Sequence, residues 1–292
     1  MICRLCPRNC GALRTDTEGR GWCRMPEAPV VARAALHMWE EPPVSGTRGS
    51  GTIFFSGCSL GCVFCQNEKI SHRDFGKAVT PERLAAICDE LTARGAHNIN
   101  FVNPTHYTHV VRALLEEHPL SVPAVWNSGG YDRVETLKGL EGKIHIYLPD
   151  LKYLDPDTAG RYSAAADYPE TAQAAIREMV RQTGPCQFDG EGLLKKGVII
   201  RHLILPGQVN QAKAVMDWVA GEFRPGTVLF SLMSQYTPWG DLSACPEIDR
   251  RLRPGEMRAA QEYMENLGLA GFTQELTSAK EEYTPPFDLT GV

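Results

Sequence analysis

From residue 51 onward the chain alternates short apolar runs with longer segments whose apolar residues recur at helical spacing. The runs Gly51–Gly57, Asn98–Val102, Val122–Asn127, Lys143–Asp150, Val198–Leu205 and Thr227–Met233 have the length and β-branched or aromatic content of strands. Between them lie helical patterns. Over Thr80–Arg94, Leu84, Ile87, Cys88 and Leu91 share a face; Thr80 suits the N-cap, Pro81 the first turn and Gly95 the stop. Pro169–Gln182 places Ala172, Ala175, Ile176, Met179 and Val180 on one side. Further helices are predicted through Val110–Leu115, near Arg133–Leu140, through Val215–Val219 and over Glu256–Leu267.

Consecutive strand–helix units imply a parallel sheet. Six such units suit a partial (β/α)6 TIM-like barrel, an α/β fold, better than a closed eight-unit barrel, which needs about 250 residues for itself. The working face is then expected at the C-terminal ends of the strands. Residues 1–50, rich in turns such as Glu41-Pro42-Pro43 and carrying their own cysteines, read as an N-terminal appendage. The barrel is expected over 51–275 and a tail over 276–292, with Pro285-Pro286 inside it.

Composition narrows the classes. Of 292 residues, 43% are hydrophobic and 22% charged, ordinary for a globular protein, and the net charge of −5 argues against nucleic acid as a partner. No run reaches the roughly 20 apolar residues that span a bilayer, and the first residues lack a signal core, so a cytoplasmic protein is expected. The ten cysteines then point to metal rather than disulfides. Seven fall in two groups: Cys3, Cys6, Cys10 and Cys23, then Cys58, Cys62 and Cys65. Cys88 reads as an apolar helix-face residue, Cys186 as remote from the chemistry and Cys245 as an incidental thiol in preference to a redox-active one.

Ser56-Gly57-Cys58-Ser59-Leu60-Gly61-Cys62-Val63-Phe64-Cys65-Gln66-Asn67 follows the first strand directly. Three thiolates at this spacing fit a loop wrapped on an iron–sulfur cube, one per iron, with the fourth iron open. A zinc site with a distant fourth ligand, or coincidental cysteines, is the competing reading.

The CxxxCxΦC pattern, with aromatic Phe64, resembles that of the radical S-adenosylmethionine superfamily. The resemblance implies a 4Fe-4S cluster on Cys58, Cys62 and Cys65. S-adenosylmethionine would chelate the open iron, and its reductive cleavage would give a 5′-deoxyadenosyl radical that abstracts hydrogen. Across residues 3–275, the phrases CRLCPRNC (3–10), GSGTIFFSGCSLGCVFCQN (49–67), NPTHY (103–107), IYLPDLKY (146–153), RHLILPG (201–207) and SLMSQYTP (231–238) are similar to those of the PflX-type homologues of the pyruvate formate-lyase activating enzyme. That resemblance implies an oxidoreductase, a glycyl-radical-enzyme activase or a relative with another protein or small-molecule substrate, supplied with electrons by a flavodoxin or ferredoxin.

Carried over by position, Phe64, Asn103, Asp150, Lys152 and Arg201 are expected to bind the cofactor. Asn103 stands where the activases carry a Gly-Gly-Glu-Pro phrase that meets the cofactor's amino group. Asp150-Leu151-Lys152 resembles their Asp-x-Lys phrase, and Asp150 and Lys152, two apart, share one side of the strand. Arg201 resembles the Arg that meets the cofactor carboxylate, and a guanidinium fork suits that partner; the competing readings are a structural pairing residue for Arg201 and a solvated ion pair at a strand end for Asp150 and Lys152. His106 divides between a functional role and a turn residue. Ser234–Trp239 differs from the activases' phrase, which argues for a different substrate.

Cys3, Cys6, Cys10 and Cys23 supply four thiolates, enough to close a structural zinc site, and also resemble Cys-rich iron–sulfur runs. A second metal, zinc or another cluster, is expected there. The rival to the enzyme reading is a non-catalytic iron–sulfur or zinc protein that carries electrons or binds a partner.

Overall fold

The computed structural model describes residues 1–273 and 285–292; residues 276–284 of the expected C-terminal tail lie outside the described residues. Its strands are β1 (Val30–His37), β2 (Ser50–Phe55), β3 (Lys77–Ala78), β4 (Ile99–Val102), β5 (Ala124–Ser128), β6 (Ile146–Pro149), β7 (Gln187–Phe188), β8 (Leu194–Leu203), β9 (Leu229–Met233) and β10 (Gly271–Thr273). Its helices are α1 (Pro42–Ser45), α2 (Glu68–Ser71), α3 (Pro81–Ala93), α4 (Thr108–Glu117), α5 (Val134–Lys138), α6 (Pro156–Ser163), α7 (Tyr168–Thr183), α8 (Val209–Glu222) and α9 (Pro254–Leu267).

Seven strands among the described residues run parallel in the order β2-β4-β5-β6-β8-β9-β10. The sheet curls into an unclosed barrel, the partial TIM-like fold expected from six strand–helix units. The first six parallel strands overlap the six predicted runs, and β10 extends the series. Thr80 caps α3 as read, its side chain accepting from the Arg83 amide at 3.2 Å.

Each strand has two faces, and the two faces bury different things. Outward, Ile53, Phe55, Phe101, Trp126, Tyr147, Ile200 and Phe230 meet the inner faces of the helices in the main core. Inward, Val125, Ile146, Leu148 and Ile199 form a small apolar plug with Val44 and Leu194. Above the plug the inward residues turn polar: Asn127 on β5, Asp150 just past β6, Arg201 on β8, Ser231 on β9. That switch along these strands marks a polar chamber inside the barrel.

The N-terminal 50 residues, read as one appendage, divide. Beyond about residue 29 they belong to the barrel. β1 pairs antiparallel with β2 from Val31↔Phe55 to His37↔Ser50, and β3 pairs with β1. Val30-Val-Ala-Arg-Ala-Ala-Leu-His lacks alternation because both of its faces are covered. Val31 and Ala34 join the main core, while Ala32 packs with Phe54, Ile70 and Phe287. The chain then turns through α1 into the barrel, where Val44 completes the plug. The last residues return to this edge: the Thr290 carbonyl accepts from the Ala34 amide at 2.8 Å, and Arg33 pairs with Asp288 at 2.8 Å.

Candidate active site

The cysteine loop leaves β2 and is fastened at both sides. On one side it meets the end of α6, with the Gly61 amide donating to the Ser163 carbonyl (3.1 Å) and Val63 to Tyr162 (2.9 Å). On the other it meets the N-terminal segment. Gly57 has φ +80°, and a Cβ there would lie 2.2 Å from the Met25 side chain and 2.9 Å from the Cys23 carbonyl oxygen. Glycine alone fits that backbone and that approach.

Each sulfur has a polar neighbour. The Leu60 amide donates to Cys58 Sγ (3.4 Å), Ser163 Oγ lies 2.9 Å from Cys62 Sγ, and Ser71 Oγ lies 3.2 Å from Cys65 Sγ. Burial, with the neighbouring thiols adding to it, pushes Cys58 up to about 12 and Cys65 up to about 11. Thiolates set this far from water need cations among them, a need that iron would meet. Among the described residues no three His, Cys, Asp or Glu side chains converge as a single-ion site. Three thiols on one loop suit a polynuclear cluster, which takes one sulfur per iron.

Phe64 is buried, with Tyr236 edge-on at 5.9 Å between centroids, so it holds the loop against the segment after β9. Asn103 has φ +57°, and its side-chain amide donates to the Gly57 carbonyl; its Oδ1 lies 3.6 Å from Cys58 Sγ. His106 does not face the chamber. It is fully buried, its Nε2 donates to the Ser56 carbonyl at 2.6 Å, and burial pulls it down to about 3, so it is a neutral brace behind the loop.

Asp150, Lys152 and Arg201 form one network. Lys152 Nζ lies 2.6 Å from Asp150 Oδ2, and Arg201 Nε lies 3.0 Å from Asp150 Oδ1. Burial works against the Asp150 carboxylate, yet Arg201 and Lys152 hold it below the ordinary range. Lys152 is likewise kept cationic against burial by Asp150 and the Cys62 sulfur, which sets its ammonium beside the cysteine loop. The strand end is clamped by Tyr168, whose hydroxyl accepts from the Lys152 amide (3.0 Å) and donates to the Asp150 carbonyl (2.7 Å).

The sequence reading missed the other half of this network. Arg201 Nη2 donates to Asn127 Oδ1 (2.7 Å), and Nη1 lies 3.2 Å from Glu40 Oε1. Glu40 Oε2 accepts from Asn100 and Asn127, both at 2.9 Å. Beside it Glu41 is buried and accepts from Ser231 Oγ at 2.8 Å. The one available signal was a pair of acids before Pro42-Pro43, which also reads as a turn. Glu40, Glu41, Asn127, Arg201, Met233 and Gln235 line a cavity of about 580 Å³ inside the barrel. A larger hollow of about 750 Å³ lies outside it, between α3 and α4, and touches none of these groups.

The N-terminal cysteines sit against the same loop. Arg8 donates to the carbonyls of Ser59 (2.8 Å) and Ala164 (2.6 Å), and its guanidinium lies 3.9 Å over the Trp22 ring. Buried Arg14 donates to the Pro26 and His106 carbonyls. Cys3, Cys6 and Cys23 are buried and Cys10 is exposed. Burial, then the Cys23, Cys3 and Cys10 thiols, push Cys6 up to about 12, so the four are electrostatic neighbours. Of the scattered cysteines, Cys88 and Cys245 are buried in the main core, and Cys186 lies beside Gly197, toward the β8 end remote from Arg201.

A partly open parallel barrel, with a three-cysteine loop at the end of its first parallel strand and a charged chamber beneath, defines a class of cofactor-dependent enzymes. The chain belongs to the Radical SAM superfamily, which it matches over residues 52–219. It is 30% identical over 277 residues to the uncharacterized protein MJ0674 of Methanocaldococcus jannaschii, covering 91% of this chain and 75% of that protein. Among solved structures it resembles Streptococcus suis SuiB bound to S-adenosylmethionine, with a TM-score of 0.53 and 16% identity. That likeness covers 77% of this chain and 50% of SuiB, so this chain spans about half of that protein. A domain of a pyruvate-formate lyase-activating enzyme from Bacteroides vulgatus is also similar, at 14% identity over 67% of this chain and 91% of that one, with a TM-score of 0.38. The family implies a 4Fe-4S cluster, S-adenosylmethionine and an enzyme that uses both. Among the described residues no helix is long and apolar enough to cross a membrane.

Proposed function

We propose that Cys58, Cys62 and Cys65 hold the 4Fe-4S cluster, and that the chain uses it to abstract hydrogen from a substrate seated in the barrel cavity. The observation that carries this reading is the Lys152–Asp150–Arg201 network, which runs from beside the cysteine loop down to the cavity. When bound, the cluster and S-adenosylmethionine supply reductive cleavage of the sulfonium and a 5′-deoxyadenosyl radical.

The chain's own residues bind, orient and insulate. Lys152 and Arg201 offer cations to a carboxylate, Asp150 an acceptor to a ribose hydroxyl, and Asn103 an amide oxygen beside the cysteine loop to an amino group. Ser163, Ser71 and the Leu60 amide offer hydrogen bonds to the ligand sulfurs. Phe64 and Tyr236 exclude water from one side of the loop. The altered Ser234–Trp239 phrase supports a substrate other than pyruvate formate-lyase. Activation of a partner by abstraction from glycine is the narrower form of this reading, marked by deuterium passing from an α-deuterated glycine of that partner into 5′-deoxyadenosine.

Cys3, Cys6, Cys10 and Cys23 hold a second metal in this reading. The contact of Cys23 with Gly57, next to Cys58, supports a role beside the first cluster. A reducing compartment and a low-potential donor of the flavodoxin or ferredoxin type follow from the same chemistry.

The test is anaerobic reconstitution with iron and sulfide, followed by dithionite and S-adenosylmethionine. The native chain should release 5′-deoxyadenosine, and Cys58→Ala should not. Release from neither, with a full complement of iron in the native chain, would sink the enzyme reading. Iron against zinc in the as-isolated protein identifies the second metal.

A further inference from the structure

We infer that the substrate presents a protonated amine to Glu41 in the barrel cavity. The inference rests on the reading of that cavity as a substrate site. It starts from an imbalance of charge. Among the described residues three carboxylates, Asp150, Glu40 and Glu41, meet two cations, and the pairing leaves one over: Arg201 is bonded to Asp150 and Glu40, and Lys152 to Asp150. Among the described residues Glu41 has no cation within ion-pair distance. Its Oε1 accepts from Ser231, while its Oε2 is buried without a hydrogen-bond partner, and the residue is only 4% exposed.

A buried carboxylate oxygen left unpaired is costly, and proteins seldom keep one that nothing occupies. Gln235 lines the same cavity, and its Oε1 is also buried without a partner. It stands two residues past β9, the strand that carries Ser231. Both orphaned atoms are oxygens, so they call for a ligand rich in N–H donors. An ammonium offers three such donors and the missing positive charge together. An anionic group would meet Glu41 as a like charge. Burial, against the pull of Arg201, raises Glu41 to about 7, so without a cation beside it the group is held toward its neutral form and a bound ammonium would favour the carboxylate.

The probes are n-butylammonium chloride, n-butanol and sodium butyrate, titrated into the cluster-reconstituted full chain at matched ionic strength and followed by saturation-transfer NMR. The ammonium should bind roughly tenfold or more tighter than the alcohol, the preference one charge-assisted hydrogen bond confers, and butyrate should bind weakest. Glu41→Gln should remove the preference, and Gln235→Leu should reduce it, with melting temperature and cluster absorbance confirming that each variant is folded. Equal binding of ammonium and alcohol to the native chain would overturn the inference, since water then satisfies Glu41; that comparison needs no variant. Tighter binding of butyrate would overturn it as well. Release of 5′-deoxyadenosine by the native chain is scored separately, so a working radical enzyme that ignores alkylammonium fails this inference alone.

Discussion

Glu40 Oε1 lies 3.2 Å from Arg201 Nη1 across the barrel interior, although 161 positions separate the two residues in the chain. Their side chains are 11% and 13% exposed. The contact ties the segment entering from β1 to strand β8, which carries Arg201, and so joins the floor of the chamber to its wall.

Removing one member of such a buried pair strands the other. Arg201→Ala should cost about 3–5 kcal/mol, which in a chain of this size lowers the melting temperature by on the order of 10 °C. Arg201→Lys should restore part of the stability but not the fork that also reaches Asp150 and Asn127. Calorimetry of the two variants checks the ranking; equal melting temperatures for all three proteins would mean the network is structurally idle.

Glu41 makes a prediction about pH. Its folded-state value, about 7, lies above the ordinary carboxyl value of 4.5. Between those two values the folded chain binds more protons than the unfolded one, so this group's contribution to stability falls as pH rises through that window. Glu41→Gln should therefore be more stable than the native chain by on the order of 3 kcal/mol at pH 8, and the gain should vanish below about pH 4.5. Urea melts of both proteins across that range measure the difference directly; a gain that does not change with pH would contradict the assignment.

Ser163 Oγ, 2.9 Å from Cys62 Sγ, is placed to donate to a thiolate ligand. Such hydrogen bonds favour the more negative, reduced cluster. Ser163→Ala should lower the reduction potential by some tens of millivolts, on the order of what one hydrogen bond of about 1 kcal/mol converts to at one electron. Potentiometric titration of the reconstituted protein would show it. An unchanged potential would assign Ser163 to packing beside Tyr153, whose hydroxyl lies 3.1 Å away.

Gly57 joins the cysteine loop to the N-terminal segment. Gly57→Ala would add a Cβ at 2.2 Å from the Met25 side chain and hold an alanine at φ +80°. The strained backbone alone costs on the order of 1–3 kcal/mol. The expected result is release of the first 29 residues from the loop, seen as earlier proteolytic cleavage there, together with lower iron content. Gly142→Ala, also at positive φ but with nothing within 4 Å of its Cβ, controls for strain without the clash.

Much of the frame was legible in the sequence because it is written in local chemistry. Apolar periodicity predicted the six core strands and six of the helices, though not α6, and spacing put Cys58, Cys62 and Cys65 in one loop after a strand. The Asp150/Lys152 alternation put both side chains on one face, and the structure joins Arg201 to them. What tertiary structure decided has a common physical cause: partners far apart in the chain. Strand β1 showed no alternation because Phe287 and the main core cover its opposite faces. Glu40 and Glu41 read as a charged turn until the parallel strands closed around them. Ser163 and Ser71 are ordinary helix residues until the loop lays its sulfurs on them. His106, open to either role in the sequence, became a brace once burial removed its charge. The sequence by itself determined the loop and the strand that presents it; the chamber floor and its unpaired carboxylate exist only where distant segments meet.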